Sequence, residues 1–131
     1  MSPLTKGRWK RPKVTSMGVT QQLRHALEEF FGGRFGTSGD MEVKIVDDLI
    51  LLRCKGAVSP AEVDLGTMKA GRLLLQEVSE RLCQELRPDL NRRLRQITGR
   101  RLLDISVGIF FRRREKIYLF TMSDRVSSEH R

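Results

Sequence analysis

The stretch that decides the fold is LILLRCKGAVSPAE, residues 49–62, in which an apolar strand runs directly into a complete helix start. Its first four residues are apolar on both faces of an extended chain, which predicts a strand inside a sheet or one whose second face is covered. Ser59 is placed to accept a hydrogen bond from the amide of Glu62, whose side chain can reach back to the amide of Ser59. Pro60 suits the first helical position because its missing N–H would have no partner there.

Upstream of this stretch the pattern predicts a helix and a strand. Apolar residues at helical spacing run from Val19 to Phe31, Thr20 is a plausible N-cap, and Gly32-Gly33 is predicted to end the helix. Residues 41–45 alternate between apolar and polar, as a half-buried strand does, and Asp47-Asp48 makes the turn into the strand at Leu49.

Downstream, an apolar stripe at helical spacing continues for about seven turns. Its members are Val63, Thr67, Ala70, Gly71, Leu74, Leu75, Val78, Leu82 and Leu86. Gly66 and Gly71 each cost about 1 kcal/mol relative to alanine in a helix interior. Either the helix bends near Gly66, or another backbone packs closely against this face. Pro88 predicts a kinked helix or two helices, the second opening at Pro88.

A second hairpin closes the pattern. RLLDISVGIFF, residues 101–111, predicts a strand, RRRE at 112–115 its tip, and KIYLFTM at 116–122 the returning strand. The residues predicted to share the apolar face of the third strand are Leu103, Ile105, Val107, Ile109 and Phe111.

These elements predict a two-layer α+β fold with the order α-β-β-α(α)-β-β. Two hairpins form a four-stranded antiparallel sheet, and a long kinked helix packs on one face. We divide the chain into a basic disordered arm (1–19), a folded domain (20–122) and a polar tail (123–131).

The formal charge of +9 is unevenly distributed. Residues 1–19 hold five bases and no acid, residues 20–85 hold eight bases and eleven acids, and residues 86–116 hold ten bases and three acids. This distribution favours an acidic partner, which can be a phospholipid surface, a nucleic acid or an acidic protein.

Hydropathy and cysteine usage favour the cytoplasm. No apolar run approaches the roughly 18 residues that span a bilayer, and the N-terminus lacks the apolar region of a secretory signal. Cys54 and Cys83 are expected to be reduced, packed thiols, because they lack the spacing of a metal or redox motif.

Residues for catalysis are sparse. The two histidines, His25 and His130, form no metal-ligand or triad pattern, and Asp47-Asp48 is best explained as a turn. The glycine-rich loop at 32–40, with Arg34, lacks the phosphate-binding motif that joins a strand to a helix. We therefore expect no enzyme activity, no cofactor and no metal.

Three basic features are the candidate binding sites. A solvated polar surface is the alternative explanation for each, and it is the favoured one for the hairpin tip. The residues are Lys6, Arg8, Trp9, Lys10, Arg11 and Lys13 in the arm, Arg92 and Arg93 near the end of the long helix, and Arg112, Arg113 and Arg114 at the hairpin tip. The arm supplies at most about 5 kcal/mol of attraction to an anionic leaflet, enough for a weak peripheral contact.

Four segments together resemble the small bacterial MpsC-like family. They are VDDLILLRCKGAVSPAEVDL (46–65), KAGR (69–72), LRPDLNRRLRQITGRRL (86–102) and KIYLFTM (116–122), and the likeness covers about residues 20–122. The family is named after a sodium-translocating membrane potential-generating system linked to bicarbonate or CO2 uptake. The resemblance implies a cytosolic α+β domain without established catalytic residues. Where many relatives carry acidic residues after the third strand, this chain has the basic and aromatic GIFFRRRE, so the resemblance implies no cation site there.

The first functional hypothesis is a non-catalytic cytosolic accessory module of a membrane sodium/bicarbonate transport system. It acts by protein contact with an acidic or membrane-bound partner and forms a homodimer, because the apolar surface exceeds what a domain of this size covers. The alternative is a nucleic-acid-binding protein that uses the arm, the arginine-rich helix end and the hairpin tip, although it lacks a recognised nucleic-acid motif.

Overall fold

The strand that begins at Leu49 belongs to a sheet with helices before and after it in the computed structural model, which describes residues 18–35 and 40–127. The described elements are, in chain order, α1 (Val19–Phe35), β1 (Met41–Val46), β2 (Leu49–Lys55), α2 (Pro60–Leu65), α3 (Lys69–Thr98), β3 (Leu102–Phe110) and β4 (Glu115–Met122). Nearly all of the predicted arm and the last four residues of the predicted tail lie outside the described residues.

The sheet has four antiparallel strands in the order β1-β2-β4-β3, so the two predicted hairpins lie side by side. The α+β fold predicted from the sequence is confirmed. Strand β2 pairs with β1 on one side and β4 on the other, so it lies inside the sheet. Ile50 and Leu52 face the core, and Leu49 and Leu51 on the opposite face are half-buried.

Helices α1 and α3 cover one face of this sheet. Ile50 and Leu52 of β2 and Phe120 of β4 are fully buried there, in one core cluster with residues of both helices. The Phe31 ring of α1 lies 4.7 Å from the Tyr118 ring, and Leu94 of α3 is fully buried. The core is thus a single layer of side chains between the sheet and the two helices.

Helix α1 differs from its prediction at both ends. It begins at Val19, where the carbonyl of Gly18 accepts from the amide of Gln22 at 3.0 Å, so Thr20 is inside the helix and is not its N-cap. It also continues through Gly32-Gly33 to Phe35, and the prediction that the glycines end it was wrong. Two glycines cost about 2 kcal/mol in a helix, and burial of the preceding Phe30 and Phe31 offsets this cost.

The helix start at Ser59 forms as predicted. The amide of Glu62 donates to Ser59 Oγ at 3.2 Å, and the amide of Ser59 donates to Glu62 Oε1 at 2.8 Å, with Pro60 in the first turn. The helix nevertheless ends at Leu65, and the chain turns through Gly66 before α3 begins.

Both explanations offered for the glycines apply. The chain breaks at Gly66, and a Cβ on Gly71 would come within 2.0 Å of the carbonyl oxygen of Leu65, so the α2 backbone packs closely against α3. Pro88 lies inside the continuous helix α3, which selects one helix over two.

The second hairpin departs from the predicted pattern at two places. The register shifts between Leu102 and Asp104, so Leu103 is 44% exposed and does not share the buried face with Ile105, contrary to prediction. The turn occupies residues 111–114, and Glu115 is a buried residue of β4, so it was wrongly placed in the tip.

The residues after β4 are tied to the domain. The amide of Val126 donates to the carbonyl of Asp47 at 2.8 Å, and the amide of Ser123 donates to the carbonyl of Arg101 at 2.8 Å. Val126 is buried in the core cluster. The first half of the predicted tail is therefore anchored over the β1–β2 turn.

Candidate functional site

The titratable residues that were singled out in the sequence and that the structure describes do not converge on one site. His25 is exposed on α1, with Nε2 3.8 Å from Glu29, and Asp47 takes a positive φ of 56° in the β1–β2 turn. Within residues 18–35 and 40–127, no group of three or more His, Cys, Asp or Glu side chains is placed to hold a metal ion. His130 lies outside the described part of the chain.

The two cysteines are buried in the core as free thiols. Burial raises the pKa of the Cys54 thiol to about 11 and, with a smaller contribution from Glu80, that of Cys83 to about 11. Both are therefore protonated near neutral pH, which makes them poor nucleophiles.

Helix α3 runs antiparallel along the outer edge of β3. Gln76 Nε2 donates to the carbonyl of Val107 at 2.6 Å, and farther along, Asn91 Oδ1 accepts from the amide of Leu102 at 2.8 Å. The start of α3 therefore lies near the hairpin tip, and its arginine-rich end lies near the beginning of β3.

This arrangement separates the predicted basic residues into two groups. Arg92 and Arg93 lie at one end of β3, and the tip arginines (112–114) lie beyond the other end, about 30 Å away at about 3.3 Å per strand residue. Arg92 pairs with Asp89 at 3.0 Å, and Arg93 with Glu29 at 3.3 Å. Among the predicted basic positions that the structure describes, the helix-end and tip arginines do not share one surface.

The tip arginines differ in what they contact. Arg114 Nε donates to the carbonyl of Val58 at 2.8 Å, so this residue fastens the tip to the loop before α2. Arg112 and Arg113 are exposed, and in the described part of the chain no carboxylate forms an ion pair with either. The six arm residues proposed as binding residues lie outside the described residues.

The contact between Gly66 and Phe111 brings the start of α3 against the tip and creates what we call the junction surface. It consists of Leu65 (41% exposed) and Met68 (62%), close to Gly66 in the chain, together with Arg112 and Arg113, which follow Phe111 in the tip. Apolar side chains so exposed beside exposed arginines are typical of a protein-binding surface.

A second exposed apolar feature, the helix stripe, continues from the junction along α3. Leu74, Val78 and Leu82 follow one another at four-residue spacing and are 53%, 45% and 38% exposed. The residues that α3 buries deepest in the core, such as Leu90 and Leu94, lie in its second half. The first half of α3 therefore exposes to solvent part of the apolar stripe that the sequence predicted, including Leu74, Val78 and Leu82.

The face of the sheet opposite the helices carries an ion pair that the sequence did not reveal. Arg53 Nε and Nη2 donate to the two carboxylate oxygens of Glu115 at 3.1 and 3.0 Å. The hydrogen bond from Arg53 is the main cause that lowers the pKa of Glu115. The sequence signal for this ion pair was a base in β2 and an acid in β4. Only the strand register shows that the two residues are neighbours.

The fold and these surfaces define a small α+β module whose exposed features are apolar and basic surfaces. Residues 16–124 match the family model described as "Na+-translocating membrane potential-generating system (MpsC)", and the chain belongs to this family. The chain matches no curated protein and no solved structure. Among the described helices, none combines the length and the apolar character needed to cross a membrane.

Proposed function

We propose that this protein is a non-catalytic, cytosolic accessory module of a Na+-translocating membrane system of the sodium/bicarbonate transport type. It docks on a protein subunit of that system through the junction surface and the helix stripe. The single observation that carries the proposal is the exposed apolar first half of α3, in a chain whose family is described by such a system. A helix that turned this stripe to water without a partner would expose apolar area at a cost to solubility.

The partner segment is apolar with acidic flanks. Leu74, Val78 and Leu82 are each roughly half exposed, and covering them contributes about 1 kcal/mol apiece. This sum is smaller than the cost of association, so the stripe alone does not hold a partner. Arg112 and Arg113 supply the remainder by pairing with carboxylates at the end of the stripe, which gives the contact its direction and its preference for an acidic partner.

Affinity capture from native membranes tests the proposal. Wild-type protein is expected to retain a subunit of a Na+-transport complex, identified by mass spectrometry. Arg112→Glu with Arg113→Glu, and separately Val78→Lys, are expected to lose it. Arg95→Glu with Arg101→Glu is the matched control, because it makes the same charge change on exposed residues at and just beyond the far end of α3. Equal capture by all variants would contradict the proposal.

Protein-free vesicles separate protein docking from lipid binding. Vesicles with anionic headgroups are expected to bind the wild type weakly, and Val78→Lys, which adds a positive charge, is expected not to weaken that binding. If such vesicles bind as much protein as native membranes do, the partner is the lipid surface and the proposed protein contact is wrong. A steep fall of binding to duplex DNA with salt, at affinities near physiological ionic strength, would instead support the nucleic-acid alternative.

A further inference from the structure

The two edge strands of the sheet differ in whether side chains bond to their outward-facing backbone groups. On the β3 edge, Gln76 and Arg87 of α3 donate to the carbonyls of Val107 and Leu103, and Asn91 accepts from the amide of Leu102. Side chains thus occupy the hydrogen-bonding groups of that edge, which prevents another strand from pairing there. Strand β1 forms the other edge.

The β1 edge presents backbone groups with no hydrogen bond from the described part of the chain. The amide of Lys55 donates to the carbonyl of Asp40 at 2.9 Å, which fixes the alternation of the antiparallel ladder. Residues 42, 44 and 46 therefore bond inward to β2, and the N–H and C=O groups of Met41, Val43 and Ile45 point outward. A groove of about 460 Å³ lies beside this edge, between β1 and the first turns of α1.

The sequence of β1, MEVKIV, is complementary to itself in the antiparallel direction. When two copies pair with Val43 opposite the partner's Val43, all three outward residues of each strand meet an outward residue, giving six backbone hydrogen bonds. The same register places Glu42 directly opposite the partner's Lys44, and Lys44 opposite the partner's Glu42. Moving the centre to Ile45 leaves fewer facing pairs. Centring on Lys44 leaves two facing pairs and places Lys44 opposite the partner's Lys44, which is unfavourable.

The charges available on this face fit such a pairing. Lys44 is exposed, and within the described residues it has no carboxylate at ion-pairing distance. Glu42 lies 3.5 Å from Arg53 and 3.9 Å from Lys55, so one of its oxygens faces each base, and all three side chains are partly exposed. Cross-strand pairs of opposite charge stabilise neighbouring strands, and like charges in the same positions destabilise them.

We propose that a second copy of the chain occupies this edge. Two β1 strands pair antiparallel about a two-fold axis at Val43 and join two four-stranded sheets into one of eight strands. The homodimer expected from the sequence is thereby assigned to a strand edge and not to surplus apolar surface. This interface is distinct from the junction surface and the helix stripe, so the dimer presents two copies of the docking surface described above, and the inference does not rest on the proposed function.

Charge exchange across the two-fold axis tests the register. Sedimentation of the wild type is expected to give a concentration-dependent dimer. Glu42→Lys places two pairs of like charges opposite each other and is expected to raise the dimer dissociation constant about tenfold or more. Glu42→Lys combined with Lys44→Glu restores opposite charges and is expected to return the constant to within about threefold of the wild type.

Two further variants separate the edge from the helix stripe. Val43→Pro removes an outward N–H without removing a bond to β2 and is expected to give a folded monomer. Val78→Lys is expected to leave the dimer unchanged. A wild type that stays monomeric up to about 100 μM would overturn the proposal. So would loss of the dimer in Val78→Lys with no effect of Glu42→Lys, or an exchanged double variant no tighter than Glu42→Lys alone.

Discussion

Gly66 lies directly under the ring of Phe111, and this contact joins the start of α3 to the β3–β4 turn. A Cβ at position 66 would come within 2.4 Å of Phe111 Cδ1, well inside contact distance. The φ of Gly66 is −71°, an ordinary helical value, so glycine is needed here for space and not for backbone freedom. The junction surface exists because this approach is possible.

Gly66→Ala is therefore expected to destabilise the domain. The added methyl group forces the Phe111 ring to move, and overpacking of this kind costs about 1–3 kcal/mol of unfolding free energy. Urea denaturation measures the change. In the background of Phe111→Ala the same substitution is expected to cost much less, because the ring is absent. If Gly66→Ala were as stable as the wild type, the Phe111 ring would not constrain this turn.

The two halves of α3 are expected to respond differently to truncation. Leu90→Ala and Leu94→Ala empty space in the core and are expected to lower the unfolding free energy by about 2–5 kcal/mol. Leu74→Ala and Val78→Ala, on the exposed helix stripe, are expected to stay within about 0.5–1 kcal/mol of the wild type. Thermal or urea unfolding of the four variants distinguishes the halves, and equal costs at all four positions would place the stripe in the core.

The ion pair of Arg53 and Glu115 predicts a loss of stability in acid. Because the folded-state pKa of Glu115 is lowered, the pair contributes stability that is fully present above the ordinary glutamate pKa of about 4.3. That contribution is lost as the pH falls through the lowered pKa. Denaturation curves between about pH 3 and 7 are expected to be less pH-dependent for Glu115→Gln than for the wild type. An unchanged dependence would mean that other carboxylates account for it.

The buried thiols predict slow chemical modification. At about pH 8 both Cys54 and Cys83 are almost fully protonated and inaccessible in the folded protein. A thiol reagent is therefore expected to react slowly in native buffer and rapidly in denaturant, and absorbance of the released chromophore follows both. Rapid labelling of the native protein would show that one cysteine is accessible.

Much of the fold was predictable because local signals and periodicity agree with it. The Ser59–Glu62 capping box, the alternation of β1 and the two-faced apolar start of β2 each led to the element observed. The misses occurred where tertiary contacts override local preference. Gly32-Gly33 stays helical beside a buried pair of phenylalanines, and the bulge at Leu103 reverses which side chains face the core.

The candidate surfaces were harder to predict than the fold. The apolar stripe of α3 was visible in the sequence, but periodicity does not tell which half of a long helix the sheet covers. Arg112 and Arg92 both appeared in basic runs, and only the antiparallel path of α3 along β3 places them at opposite ends. The pairing of Arg53 with Glu115 depends on strand register, which composition does not encode.

Site-specific photo-crosslinking in native membranes tests the central claim most directly. A photoreactive residue at Val78 or Met68, on the stripe and the junction surface, is expected to form an adduct with an identified subunit of a Na+-transport complex. The same residue at Gln96, exposed near the far end of α3, is expected to form none. The absence of an adduct from Val78 and Met68, or an equal adduct from Gln96, would contradict docking through the first half of α3.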